Sequence, residues 1–276
     1  MFLGYNTNGF AHHRLDDAVA ILADLGYRGV ALTPDVHHLD PASVPPAAVD
    51  AFGRRLAALG LRCVIETGAR FVLDPRRKHQ PTLLSPADGG RLAFLGWCLD
   101  LAHALGADCV SFWSGTASDD APRDVLMARL VDGCRRLADA AAEKNVRLAF
   151  EPEPGMFIET MDQFAELHDR VNHPAFGVTV DVGHLVCTGE LPISRHLERW
   201  SRVLWNIHIE DMRRGVHDHV MFGEGDVDFA DVFAGLEAAG YDGGVYVELS
   251  RHSHDAVNTA KKSKLFLDRY CPGQTG

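Results

Sequence analysis

Residues 204–211 read LWNIHIED. The leucine, tryptophan and isoleucines mark a buried strand. Yet His208, Glu210 and Asp211 crowd its end, and polar side chains that face a core need partners there.

Working outward, seven more segments read as strands: FLGYN near residue 2, GVALT near 29, RCVIET near 62, DCVSFW near 108, VRLAFE near 146, FGVTVD near 176 and GVYVEL near 244. Helical spacing fills the intervals, as in Leu15 to Leu25 and Val125 to Ala141, and glycine stops several of these runs in LGYRG, LGLRC, LGADC and AGYDGG. The result is eight strand-then-helix units of roughly 35 residues each. Alternation of this kind implies a parallel sheet covered by helices on both faces. Eight units in 276 residues favour closure into a (β/α)8 TIM barrel, an α/β fold forming a single domain over residues 1–276, rather than an open doubly wound sheet. No GxGxxG follows the first strand, so no nucleotide cofactor is expected. The cluster DPASVPPAAVD (40–50) and the stretch ARFVLDPRRKHQPTLLSPADGG (69–90) read as extended βα loops.

The formal net charge of −11 argues against a nucleic-acid surface, which needs clustered Lys and Arg. Six cysteines, none in a CxxC pair, read as small buried hydrophobes in a reducing compartment. No cationic start precedes an apolar run, and no apolar stretch is long enough to cross a bilayer, so no membrane partner and a cytoplasmic location are expected.

In such a barrel, reactive groups sit at the carboxyl ends of the strands. Strand five ends LAFEPEPG with Glu151, strand six VTVDVGH with Asp181 and His184, strand seven NIHIED with His208, and strand eight VYVELS with Glu248. One acid after a strand is more often a helix cap. Three carboxylates at one rim, with no Lys or Arg beside them in sequence, repel one another unless a cation sits among them. Three oxygens and an imidazole suit Mn²⁺, Mg²⁺ or Co²⁺, and Zn²⁺ less distinctly, with room for two substrate oxygens. His208 is therefore read as a ligand.

The motifs FEPEPG (150–155), VDVGH (180–184), NIHIED (206–211), HDHVMFGEGDVDF (217–229) and VYVELS (245–250) resemble the xylose isomerase-like barrel superfamily. Within it they are similar to the sugar phosphate isomerase/epimerase group related to tagatose epimerase, hydroxypyruvate isomerase and inosose dehydratase. The resemblance follows the unit order along essentially the whole chain. It implies that Glu151, Asp181, His208 and Glu248 bind one divalent metal, that Glu151 and Glu248 are also the acid/base pair, and that His184 hydrogen-bonds a substrate oxygen. Arg214 or Arg213 would contact the substrate. The implied reaction is isomerisation or epimerisation of a sugar or sugar-like keto/hydroxy compound, by proton transfer through a metal-stabilised enediolate. A dehydratase acting on a cyclic polyol ketone needs only a leaving group on the next carbon. A metal-dependent phosphodiesterase of the apurinic-site endonuclease type is the third reading, and a noncatalytic sugar-binding barrel the fourth. The nucleases add histidines after strands three and four, where this chain has Glu66 and Trp113 or Ser114, so their cluster is incomplete. His217 and His219 stand where that branch places further ligands, and read either as ligands of a second metal or as substrate-binding residues.

Arg70, Arg76, Arg77, Lys78 and His79 gather in one loop of an acidic protein, either as a solvated loop or as a lid for an anionic substrate. Arg70 and Lys78 are taken as its substrate-binding residues. His37 and His38 aim at the same rim, and Phe112, Trp113, Phe157 and Trp205 fall near strand ends, where aromatics wall sugar pockets. Pairing into a homo-oligomer through outer helices is expected by fold analogy alone.

Overall fold

The computed structural model describes residues 1–87 and 89–271; residues 272–276, the end of the expected 1–276 unit, lie outside them. Eight parallel strands close into a barrel: β1 (Phe2–Asn6), β2 (Gly29–Leu32), β3 (Arg62–Glu66), β4 (Val110–Phe112), β5 (Leu148–Phe150), β6 (Phe176–Asp181), β7 (Leu204–Ile209) and, after a separate hairpin, β10 (Gly244–Val247). All eight segments read from the sequence are strands. The hairpin, β8 (Asp211–Arg213) with β9 (Val216–Val220), is antiparallel and stands on the rim after β7.

Around the barrel lie α1 (Leu15–Asp24), α2 (Pro46–Leu59), α3 (Gly89–Leu105), α4 (Arg123–Glu143), α5 (Met161–Val171), α6 (Val182–Thr188), α7 (Ile193–Trp200), α8 (Phe229–Ala238) and α9 (Ala256–Leu267). The proline cluster is a loop only to Pro45. Pro46 opens α2, since the first turn of a helix has no internal partner for the N–H that proline lacks. At the other end of α2, Gly60 takes the left-handed conformation (φ 66°) that stops the helix.

Strand alternation sorts the side chains. Val30 and Leu32, Cys63 and Ile65, Val110 and Phe112, Leu148 and Phe150, and Val178 and Val180 face the helices in one continuous core. The opposite parity fills the barrel. Ala31, Val64, Cys109, Ala149 and Tyr246 form its apolar floor, and Ser111, Thr179 and Asn206 form a buried polar layer above it. There Ser111 Oγ lies 2.8 Å from Thr179 Oγ1. The next residues of that parity are Glu66, Glu151, Asp181, His208 and Glu248. In β7 a bulge sets this parity: Val178 and Thr179 of β6 pair with Leu204 and Asn206, which leaves Trp205 as the extra residue. Trp205 packs on the interior floor while Leu204 and Ile207 lie in the outer core, so the bulge re-aims Asn206 and His208 inward. Among the described residues no helix is long and apolar enough to cross a membrane.

Candidate active site

The three polar residues of the opening stretch have three fates. His208 is buried inside the barrel mouth, with Nδ1 2.9 Å from Glu151 Oε1 and 3.0 Å from Glu248 Oε2. Glu210 is fully buried, and its carboxylate shares a close cluster with Asp181 and His219. Asp211 braces the FGEG loop: its carboxylate accepts from the backbone N–H of Gly223 at 2.8 Å and of Val227 at 3.1 Å.

Glu151, Asp181, His208 and Glu248 each present a ligand atom, all within 4.8 Å of one another. The strand ends bring this about, because Asp181 pairs with His208 across β6 and β7 and His208 pairs with Tyr246, two residues before Glu248. Asp181 also caps α6, accepting from the His184 N–H at 3.0 Å through Oδ1. Its Oδ2 is buried without a hydrogen-bond partner among the described residues. Such an oxygen, in a cluster richer in carboxylates than in positive charge, fits a divalent cation.

The electrostatics are uneven. Burial would lower the His208 pKa, but Glu66, Glu151 and Glu248 outweigh it and hold the imidazole well above its ordinary value. Burial pushes the Glu151 carboxyl up to about 8, against the pull of His208. Glu248 feels the same burial, yet His208, His219 and a hydrogen bond from Asn8 hold it below the usual carboxylate range. Burial, with Asp181 beside it, pushes Glu210 well above that range.

Three imidazoles flank this cluster, His184, His217 and His219, with ring nitrogens within 4.8 Å of one another. His184 Nδ1 faces the Pro152 carbonyl at 3.1 Å and must carry the proton there. Its Nε2, 3.1 Å from His217 Nε2, is then the acceptor of that pair. Burial lowers the His184 pKa to about 4, in keeping with a neutral ring.

Above the cluster opens a cavity of about 370 Å³ whose lining includes Glu151, His184, His217, His219 and Glu248. Arg70 and Lys78 line it as well; Arg76 and Arg77 do not, and Arg77 turns outward to Asp74 at 2.7 Å. The loop carrying them is held in place. Buried Arg91 of α3 donates to the carbonyls of His79 at 2.7 Å, Pro81 at 2.9 Å and Thr67 at 3.3 Å. These three bonds fasten the loop to α3 where it passes the cavity.

Arg214 and Arg213 do not reach the cavity. Both are exposed on the hairpin, where the Arg214 N–H binds Asp226 and Arg213 Nε binds the Glu224 carbonyl. Arg251, unforeseen from the sequence, lines the cavity instead and pairs with Asp218. His37 and His38 also lie off it: His38 is buried with its Nε2 on the His13 carbonyl, and His37 is exposed. Of the four aromatics only Trp113 lines the cavity, edge-on to His79 at 4.9 Å. Sequence reasoning also missed Glu66 as a site residue. Its Oε1 lies 2.8 Å from His208 Nε2.

The xylose isomerase-like TIM barrel family model matches residues 19–270. The chain belongs to that family. An inosose dehydratase of Geobacillus thermodenitrificans (strain NG80-2) is 30% identical over 164 residues, which are 51% of this chain and 54% of that protein. This chain thus spans about half the length of that relative. An L-ribulose-5-phosphate 3-epimerase UlaE of Salmonella paratyphi C (strain RKS4594) is 29% identical over 200 residues, 71% of this chain and 69% of that protein. Among solved structures, the IOLI protein with a bound zinc atom superposes with a TM-score of 0.77 at 17% identity, covering 98% of this chain and 99% of that one.

Proposed function

We propose that this chain is a divalent-metal-dependent isomerase or epimerase of a sugar-like keto/hydroxy compound. The observation that carries the reading is the four-residue cluster: ligand atoms of Glu151, Asp181, His208 and Glu248 within 4.8 Å of one another at the floor of an open cavity. A divalent ion held by these four residues supplies positive charge against the negative charge that develops on neighbouring substrate oxygens. Mn²⁺, Mg²⁺, Co²⁺ and Zn²⁺ all suit such a set.

Glu151 and Glu248 stand on either side of His208 Nδ1 and face the cavity. A carboxylate of this kind takes the proton from the carbon beside a carbonyl, and the opposite one returns a proton to the other face. One glutamate working on both carbons gives isomerisation; two working on opposite faces of one carbon give epimerisation. His184, neutral and lining the cavity, orients a substrate hydroxyl. Arg70, Lys78 and Arg251 add positive charge to the wall and favour a substrate with a phosphate or carboxylate. The ribulose-phosphate epimerase among the relatives acts on such a compound.

The inosose dehydratase among the relatives favours a second reading, in which the same proton abstraction ends in loss of hydroxide from the next carbon. Incubation with a panel of ketoses, their phosphates and inososes in heavy water, with Mn²⁺ or Co²⁺ added, tests both. Epimerisation or isomerisation places deuterium on the product without loss of water, while dehydration gives an unsaturated ketone. Neither deuterated product nor unsaturated ketone from any substrate would end both.

A further inference from the structure

Glu66 plays no part in the proton transfer above, yet it is built into the centre of the cluster. It ends β3 at the interior parity, with its side chain 9% exposed. Its Oε1 lies 2.8 Å from His208 Nε2 and 3.1 Å from Asn206 Nδ2. The amide nitrogen can only donate, so this oxygen is fixed as an acceptor. Asn206 cannot take the histidine's proton instead, because the group it turns to His208 Nε2 is that same donor nitrogen, 3.2 Å away.

A neutral imidazole offers one lone pair, and the partner of its other nitrogen decides which. Here Nδ1 faces Glu151 and Glu248 at 2.9 and 3.0 Å, and Nε2 faces Glu66. We infer that Glu66 is a positioning residue: by accepting the Nε2 proton it locks His208 in the tautomer whose Nδ1 lone pair points at the Glu151, Asp181 and Glu248 carboxylates, and so strengthens their grip on a divalent cation. The inference rests on reading that cluster as a cation site. A carboxylate behind a ligating histidine both orients the ring and raises its basicity, and its loss commonly weakens metal binding about tenfold to a hundredfold.

Zinc is the probe, because it is diamagnetic and suits the donor set. Competition with a chromophoric chelator gives the zinc affinity of the wild type, Glu66→Gln and Glu66→Ala, and nitrogen-15 NMR of labelled histidines gives the His208 tautomer. The zinc-loaded wild type should carry its proton on Nε2. Glu66→Ala should bind zinc about tenfold to a hundredfold more weakly, while Glu66→Gln, which keeps an acceptor oxygen, should lose much less. A proton on Nδ1 in the zinc-loaded wild type overturns the inference without needing any variant to fold. An alanine variant that binds zinc within about twofold of wild type overturns it too, as does a glutamine variant as weak as alanine, since an acceptor oxygen at this place would then not be what holds the ring. A wild type that takes up no zinc, manganese or cobalt removes the metal reading along with it.

Discussion

Asn8 donates its side-chain N–H to Glu248 Oε1 at 2.8 Å, joining the segment after the first strand of the barrel to the end of the last. Glu151 has no such donor among the described residues and meets only imidazoles, His208 at 2.9 Å and His184 at 3.9 Å. The two glutamates rest in different states: His208, His219 and then Asn8 hold Glu248 below the usual carboxylate range against its burial, while burial pushes Glu151 up to about 8. Removing the Asn8 amide takes a hydrogen bond from a buried carboxylate, worth roughly 1.5–3 kcal/mol. Asn8→Ala should lower kcat about tenfold or more and lower the melting temperature by several degrees. Equal kcat in the variant would detach Asn8 from the chemistry.

Metal uptake should release protons. In the metal-free protein His208 and Glu151, with Nδ1 and Oε1 2.9 Å apart, hold protons at neutral pH, because Glu66 and Glu248 favour the charged imidazole and burial raises the Glu151 carboxyl to about 8. A cation must displace these protons, so affinity rises with pH until both groups have titrated. Calorimetric titration with Mn²⁺ at pH 7, in buffers of differing ionisation enthalpy, should give between one and two protons released per ion. A binding enthalpy independent of buffer would show that the ligands are already bare.

The cationic wall makes a sharper distinction than loop composition did. Lys78 lines the cavity and has no carboxylate partner among the described residues, whereas Arg70 faces Asp35 at 3.7 Å and Arg77 is turned outward to Asp74. Lys78→Ala should raise KM about tenfold for a phosphorylated or carboxylated substrate, in line with loss of a charge-assisted hydrogen bond, and leave a neutral sugar untouched. Arg77→Ala should change neither. If the two variants behave alike across charged and neutral substrates, Lys78 has no role in recognition.

Gly183, inside the VDVGH motif, is there for space. A Cβ on it would run into the Glu210 carboxylate and sit 2.9 Å from the Met212 methyl. Gly183→Ala therefore overpacks the wall behind Asp181 and should cost about 1–3 kcal/mol. Gly96 in α3 has open space around its would-be Cβ, and Gly96→Ala should stabilise by about 0.5–1 kcal/mol through helix propensity. Chemical denaturation of both variants checks the contrast, and a neutral Gly183→Ala would mean that Glu210 has room to move.

Much of the barrel is legible from the chain because strand-then-helix alternation repeats eight times, with glycine stops between several of the units, each repeat supporting the next. The rim is less so. Glu66 occupies the same interior parity and the same strand-end place in RCVIE that Glu151 occupies after LAF, a signal available in the sequence. It is set aside there only because zinc nucleases carry histidine at that point. The hairpin escapes notice for a local reason: β8 follows β7 after a single residue, Glu210, and β9 reads VHDHV, too polar for a strand. Without that hairpin, Arg214 looks close to the strand-seven histidine. With it, Arg214 sits exposed in the turn with Gly215 (φ 69°), outside the lining of the cavity. The role of Arg91, a buried arginine that holds three carbonyls of the long loop, depends on contacts that no local pattern encodes.

The most direct measurement is an anomalous difference map from crystals grown with Mn²⁺. A single strong peak bounded by Glu151, Asp181, His208 and Glu248 is expected, lost in Asp181→Asn. A map with no peak there, or with manganese held only by His184, His217 and His219, would contradict it.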